Sequence, residues 1–135
     1  MKNKSLAKDY IERAGKRLHA LSALFEVQAW ADVVRESQEV VELALKALLR
    51  SCNIEVPRIH DVSPVLNQEQ QRLPPAVRKE LKRYTDISRN LRRDRELAYY
   101  GSEDLTPSEF YTGEDAEKAM ASARWVVGSL KSHIG

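Results

Sequence analysis

The sequence predicts an all-α protein, an antiparallel up-and-down bundle of four main helices plus one short helix. Three observations predict it. Apolar residues recur at intervals of three and four along most of the chain, and no segment alternates in the manner of a strand. Glycine and proline number only five each in 135 residues, too few for the turns of a sandwich or barrel. Aromatic residues, at 7%, are sparse for a β-rich core. The length fits one helical domain spanning 1–135, large enough to bury a core without disulfides or metal.

The first helix is read from Leu6, Tyr10, Ala14, Leu18, Leu21 and Phe25, which share one face. Ser5 is its expected N-cap, and Gly15, inside it, is expected at a close approach to a neighbouring helix. The second helix runs from about Ala29 to Arg50. Its apolar stripe (Trp30, Val33, Val34, Ser37, Val40, Val41, Ala44, Leu45, Leu48, Leu49) is broad enough to require neighbours on more than one side. Glu42 and Lys46 stand four apart on a polar face, in the favourable order for an ion pair. The link Glu26–Gln28 is so short that helices one and two must form an antiparallel hairpin.

Asn53 and Pro57 mark a loop. Ser63-Pro64 opens the short third helix, with Ser63 as cap and Pro64 at the first helical position, and this helix ends near Leu73 before Pro74-Pro75. The fourth helix runs from about Ala76 to Tyr100 with Gly101 as its stop. Its seam is Val77, Leu81, Tyr84, Ser88, Leu91, Arg95 and Ala98, a run in which Arg95 is the one charge. A turn-rich acidic segment, Ser102 to Tyr111, precedes a fifth helix. Thr112 caps it, Glu114, Asp115 and Glu117 suit its dipole, and its stripe runs from Ala116 to Leu130.

Several chemistries are excluded or disfavoured. The single cysteine, Cys52, rules out an intrachain disulfide and any multi-cysteine zinc site. His19, His60 and His133 lack metal-ligand spacing, so no metal is expected, and His60-Asp61 reads as a turn or helix-entry pair. Glycine-rich phosphate loops are missing, and no cofactor is implied. No stretch is apolar enough to span a bilayer, and the start has no signal-peptide pattern, so a cytoplasmic protein with no membrane partner is expected.

The net charge of +2 conceals an asymmetry. Residues 78–95 hold eight basic and three acidic side chains, whereas residues 103–117 hold six acids and no lysine or arginine. Arg89, Arg92, Arg93 and Arg95 crowd the end of the fourth helix, followed by Tyr99 and Tyr100. Arg92 and Tyr99 are two turns apart and share a face, and Arg95 and Tyr99 are neighbours on it. Guanidinium groups bind phosphate through paired hydrogen bonds and a tyrosine ring can stack on a base, so the cluster suits a nucleotide or an RNA phosphate. The competing reading is a salt-bridged helix surface in which these arginines pair with Asp94, Glu96 or the acidic segment.

Three segments resemble the HEPN domain family (higher eukaryotes and prokaryotes nucleotide-binding): Glu39–Leu49; Pro57 with His60-Asp61-Val62; and the arginine-rich helix end with the closing stretch from Asp104 to Ala123. The resemblance implies an up-and-down bundle that forms a twofold homodimer. It also implies relatives that are metal-independent ribonucleases with an R-x(4–6)-H motif, some of them toxins neutralised by a nucleotidyltransferase partner. Carried over, Arg92 or Arg93 matches the motif arginine, Tyr99 stands where the histidine falls, and Glu42 is the acidic helper. Tyrosine, with a pKa of about 10, is a poor base near neutrality, whereas histidine is a good one.

Three functions follow from these residues. The leading one is a HEPN-like nucleotide- or RNA-phosphate-binding module, of a toxin–antitoxin type pair, using Arg92, Arg93, Arg95, Tyr99, Tyr100 and Glu42. The second is a metal-independent endoribonuclease with Arg93 and Tyr99 as catalytic residues. The third is a structural protein that pairs with a nucleotidyltransferase.

Overall fold

In the computed structural model, residues 2–56, 58, 61–100 and 106–134 are described, with the backbone alone for residues 2 and 93–100. The described residues form seven α-helices and no strand: α1 (Lys2–Glu26), α2 (Trp30–Ser51), α3 (Ser63–Gln68), α4 (Pro75–Lys79), α5 (Leu81–Tyr100), α6 (Pro107–Phe110) and α7 (Gly113–Leu130). Short 3-10 turns follow α3 and α7. The four long helices are the predicted four, packed as an up-and-down bundle.

Side-chain pairs fix the directions. Asn3 bonds to Arg50 and Asn53, Arg17 pairs with Glu36, and Phe25 packs on Trp30, so α1 and α2 run antiparallel as the short link requires. Arg124 donates to Ser22 and Lys131 lies against Gly15, which sets α7 antiparallel to α1. Tyr84 meets Trp125 and Ser129 near the start of α5, so α5 and α7 are antiparallel as well.

Helix α2 is the axis. Its predicted stripe is buried from Val33 to Leu49, Trp30 being only partly buried, and Ala31, Gln38 and Ala47 are buried besides, against α1, α5 and α7. Asn53 takes the left-handed conformation (φ 58°) that asparagine tolerates, and Ile54 N–H closes back on the Leu49 carbonyl at 2.9 Å, ending the helix. Gln28, also left-handed (φ 60°), makes the turn from α1. The predicted stripe of α7 is buried from Ala116 to Leu130. Thr112 caps α7 as expected, and Asp115 reaches back to complete a capping box. Gly113 lets this first turn approach Trp30, whose ring lies 3.3 Å from where a Cβ would stand.

The structure corrects four expectations. Helix α1 begins at Lys2, so Ser5 is inside it and caps nothing. Its buried face is rotated from the predicted one and centres on Ala7, Ile11, Ala14 and Leu21. The third helix stops at Gln68, and Ser63 is its first residue rather than its cap. The fourth helix is interrupted at Glu80 (φ −103°, ψ 17°), which leaves one helical turn, α4, ahead of α5. The predicted seam is buried on both sides of this break, at Val77, Leu81, Tyr84, Ser88 and Leu91, while the side chains of Arg95 and Ala98 lie outside the described residues. Pro57, His60, Gly101 and the acids Glu103 and Asp104 lie outside the described residues.

Gly15 brings a fifth correction. The nearest atoms to its missing Cβ belong to the Lys131 side chain at 3.8 Å, an ordinary contact and not a tight helix crossing. Gly15→Ala therefore removes a helix-interior glycine without a clash. It should raise stability by about 0.5–1 kcal/mol, read as a higher urea midpoint with an unchanged slope.

Candidate functional site

Helix α5 presents its inner seam to α2, so its remaining surface must be polar, and here it is mostly basic. Lys82, Arg83, Arg89 and Asn90 are exposed on it. Arg83 and Arg92 stand nine residues apart, or two and a half turns, and so project from opposite flanks of the helix. Between them the exposed ridge carries Lys82 and Arg89. One carboxylate, Asp86, serves both ridge cations, at 2.7 Å from Lys82 and 4.0 Å from Arg89. At that exposure such pairs contribute little and leave both cations open to a ligand.

The Arg83 flank faces α7 across an open groove of about 520 Å³. Lys79, Arg83, Asp86 and Asn90 line one wall and Ala121 and Ser122 the other. A second hollow of about 250 Å³, reaching Val34, Leu91 and Tyr111, shares Ile87, Asn90 and Ser122 with it. At the groove's edge the Arg83 guanidinium lies over the Trp125 ring, 3.7 Å from its centroid, a face contact. Trp125 also packs on the buried Tyr84 ring, with centroids 4.6 Å apart. The Tyr84 hydroxyl meets Ser129 Oγ at 2.6 Å. Because Ser129 donates to the Val126 carbonyl, Tyr84 is the donor of that bond. Burial raises the Tyr84 phenol above its ordinary value, with the Ser129 bond acting the other way, so this phenol stays protonated and structural.

Among the described residues, the acids of the following segment make no ion pair with this surface. Glu109 completes a capping box with Thr106 at α6, Asp115 does the same with Thr112, and Glu114 pairs with Lys118 at 3.4 Å. Among the described residues none of these three makes an ion pair with α5. The Thr106 hydroxyl and backbone bonds hold the Glu109 carboxyl below its usual range, as capping requires.

Of the residues singled out in the sequence, Arg92 is half-buried on α5 and has partners of its own. Arg93, Arg95, Tyr99 and Tyr100 lie within the helical backbone of α5, and their side chains are outside the described residues. Glu42 lies in a different hollow, between α1 and α2, with Tyr10, Arg13, Arg17 and Glu39. It accepts from Lys46 Nζ at 2.8 Å and Gln38 Nε2 at 3.1 Å. The predicted Glu42–Lys46 pair is present but sunk into this hollow, only 14% and 16% exposed. Sequence reasoning missed the Arg83–Trp125 contact. The visible signal was a tryptophan lying off the apolar stripe of its own helix.

Asp61 anchors the other side of α5. Its Oδ1 accepts from the Ser63 N–H at 3.0 Å, from Ser88 Oγ at 2.9 Å and from Ser63 Oγ, which also contacts the Thr85 carbonyl. Asp61 thus bonds the first N–H of α3 and pins this helix to α5, as a helix-entry residue would, while His60 lies outside the described residues. No cluster of three or more histidine, cysteine or acidic side chains able to hold a metal occurs among the described residues. Cys52 packs against the core. No described helix is long and apolar enough to cross a membrane.

Fold and surface together define a helical bundle with one grooved, basic helix. Residues 7–133 match the HEPN domain family, and the chain belongs to that family. Membership supports a nucleotide- or RNA-related module in general terms. No curated protein and no solved structure gives a significant match.

Burial raises the Asp61 pKa, but the bonds from Ser63 and Ser88 and the charge of Arg89 outweigh it and hold this carboxyl below its ordinary 3.8. Its stabilising contribution is therefore complete above that ordinary value and is lost as pH falls through the lower folded-state value. Asp61→Asn should cost about 1–3 kcal/mol at pH 7. In urea titrations the gap to the unaltered protein should close as the pH is taken below 3.8.

Proposed function

We propose that this chain is an RNA- or nucleotide-binding module that engages phosphates along the basic surface of α5. The observation that supports it best is the open state of that surface. Lys82, Arg83 and Arg89 are exposed beside a groove, with one shared carboxylate for Lys82 and Arg89. Of the described acids of the neighbouring segment, Glu109 and Asp115 are engaged at helix starts and Glu114 pairs with Lys118. Arg93 and Arg95 continue the basic run in sequence. Phosphate recognition by such a surface rests on counterion release and bidentate arginine contacts, and it needs no metal or ionised tyrosine.

The test is binding of a labelled single-stranded RNA at several salt concentrations. Affinity should fall steeply as salt rises. The double variant Arg89→Ala, Arg93→Ala should bind about tenfold more weakly at low salt and lower the salt slope by roughly two. An absence of binding at low salt, or unchanged affinity in a variant with native circular dichroism, would refute the proposal.

A further inference from the structure

The groove between α5 and α7 holds an arginine prepared for a ligand. Arg83 is exposed, yet its guanidinium is fixed on the Trp125 face at 3.7 Å. Trp125 is itself packed on the buried Tyr84 ring. Among the described residues no carboxylate lies within ion-pair distance of Arg83, although Glu80 and Asp86 stand three residues to either side on the same helix. A long cationic side chain ordinarily loses much rotamer freedom on binding an anion, and here the indole has already restricted it. A guanidinium seated on a ring by one face keeps two things available. Its N–H edge can bond a phosphate, and its second face can stack on a nucleobase.

The walls narrow the ligand class. Lys79 and Lys82 add two further cations, and Asn90 and Ser122 add neutral polar groups suited to a base edge. Glu80 and Asp86 on the same lip disfavour a polyphosphate but can accept from ribose hydroxyls. The volume, about 520 Å³, suits one nucleotide.

We infer that the α5–α7 groove is a single-nucleotide subsite: phosphate on the Arg83 edge, base stacked on the outer guanidinium face, Trp125 as the rigid backing. The inference rests on the phosphate-binding reading of α5. It places a site half a turn around the helix from Arg92.

The Trp125 indole N–H resonance, assigned with Trp125→Phe, reads this site directly. It should shift on titration with adenosine monophosphate, at a concentration at least about fivefold lower than inorganic phosphate requires, since stacking adds to the anion contact. Arg83→Ala should weaken both titrations about tenfold or more. Arg83→Lys should keep the response to phosphate and lose the preference for the nucleotide, because an ammonium keeps the charge but has no face to stack. A short single-stranded RNA that shifts the indole at lower concentration than the mononucleotide identifies an RNA segment as the source, and the reverse order identifies a free nucleotide. Equal affinity for nucleotide and phosphate, or an unaltered titration in Arg83→Ala, would overturn the inference. The Arg89→Ala, Arg93→Ala variant separates the two proposals. It should bind long RNA poorly yet give the same Trp125 response to mononucleotide.

Discussion

Twelve side chains of α2 are buried, and no single partner can cover so broad a surface. The apolar gain from hiding it, about 25 cal/mol per Å², needs α1, α5 and α7 on different sides at once. Each of those helices must then turn one stripe inward. For α5 that stripe is Leu81, Tyr84, Thr85, Ser88 and Leu91, which leaves Lys82, Arg83, Arg89 and Asn90 to solvent. The groove has the same origin. Helices α5 and α7 both lie against α2, and they meet each other through Tyr84, Trp125 and Ser129 near one end, so space remains between them further along.

Polar burial fixes what apolar burial leaves free. A stripe of aliphatic side chains tolerates some rotation of a helix, whereas the Asp61 carboxylate, with donors from both α3 and α5, does not. Ser63, Thr85 and Ser88 are nearly inaccessible, and each bonds within this network or to a carbonyl of the same turn. The network holds α5 at one angle about its axis. It thereby sets which flank Arg83 occupies and which flank Arg92 occupies.

The bundle was legible because its information is periodic. The stripes of α2, α5 and α7 follow from steps of three and four, and Thr112 from cap chemistry alone. Less was legible where a local pattern has two solutions. Tyr10 and Ile11 are adjacent and both apolar, so the sequence admits two faces for α1, and packing chose the one with Ile11 buried. The break at Glu80 has no proline or glycine to announce it. Thr106-Pro-Ser-Glu109 was a readable capping box hidden inside a segment that reads as a loop. Glu42 and Lys46 look like a surface pair because their spacing says nothing of α1 closing over them. The Arg83–Trp125 contact joins residues forty-two positions apart, and no periodicity along one helix reveals such a pair.

The geometry of α5 makes its two flanks separate electrostatic sites. Nine residues at 1.5 Å each place Arg83 and Arg92 about 14 Å apart along the axis, beyond a Debye length of about 8 Å at physiological salt. A small anion on one flank is then nearly indifferent to the charge of the other. A polymer is not, because the ridge between them is itself basic at Lys82 and Arg89, and a strand crossing that ridge gains from each cation in turn. Occupancy of the Arg83 groove by one nucleotide and of the ridge by the following phosphates would act as linked contacts, with the first raising the effective concentration for the rest. On the proposed reading the same helix would bind a mononucleotide weakly and an oligonucleotide much more tightly without any change in its fold.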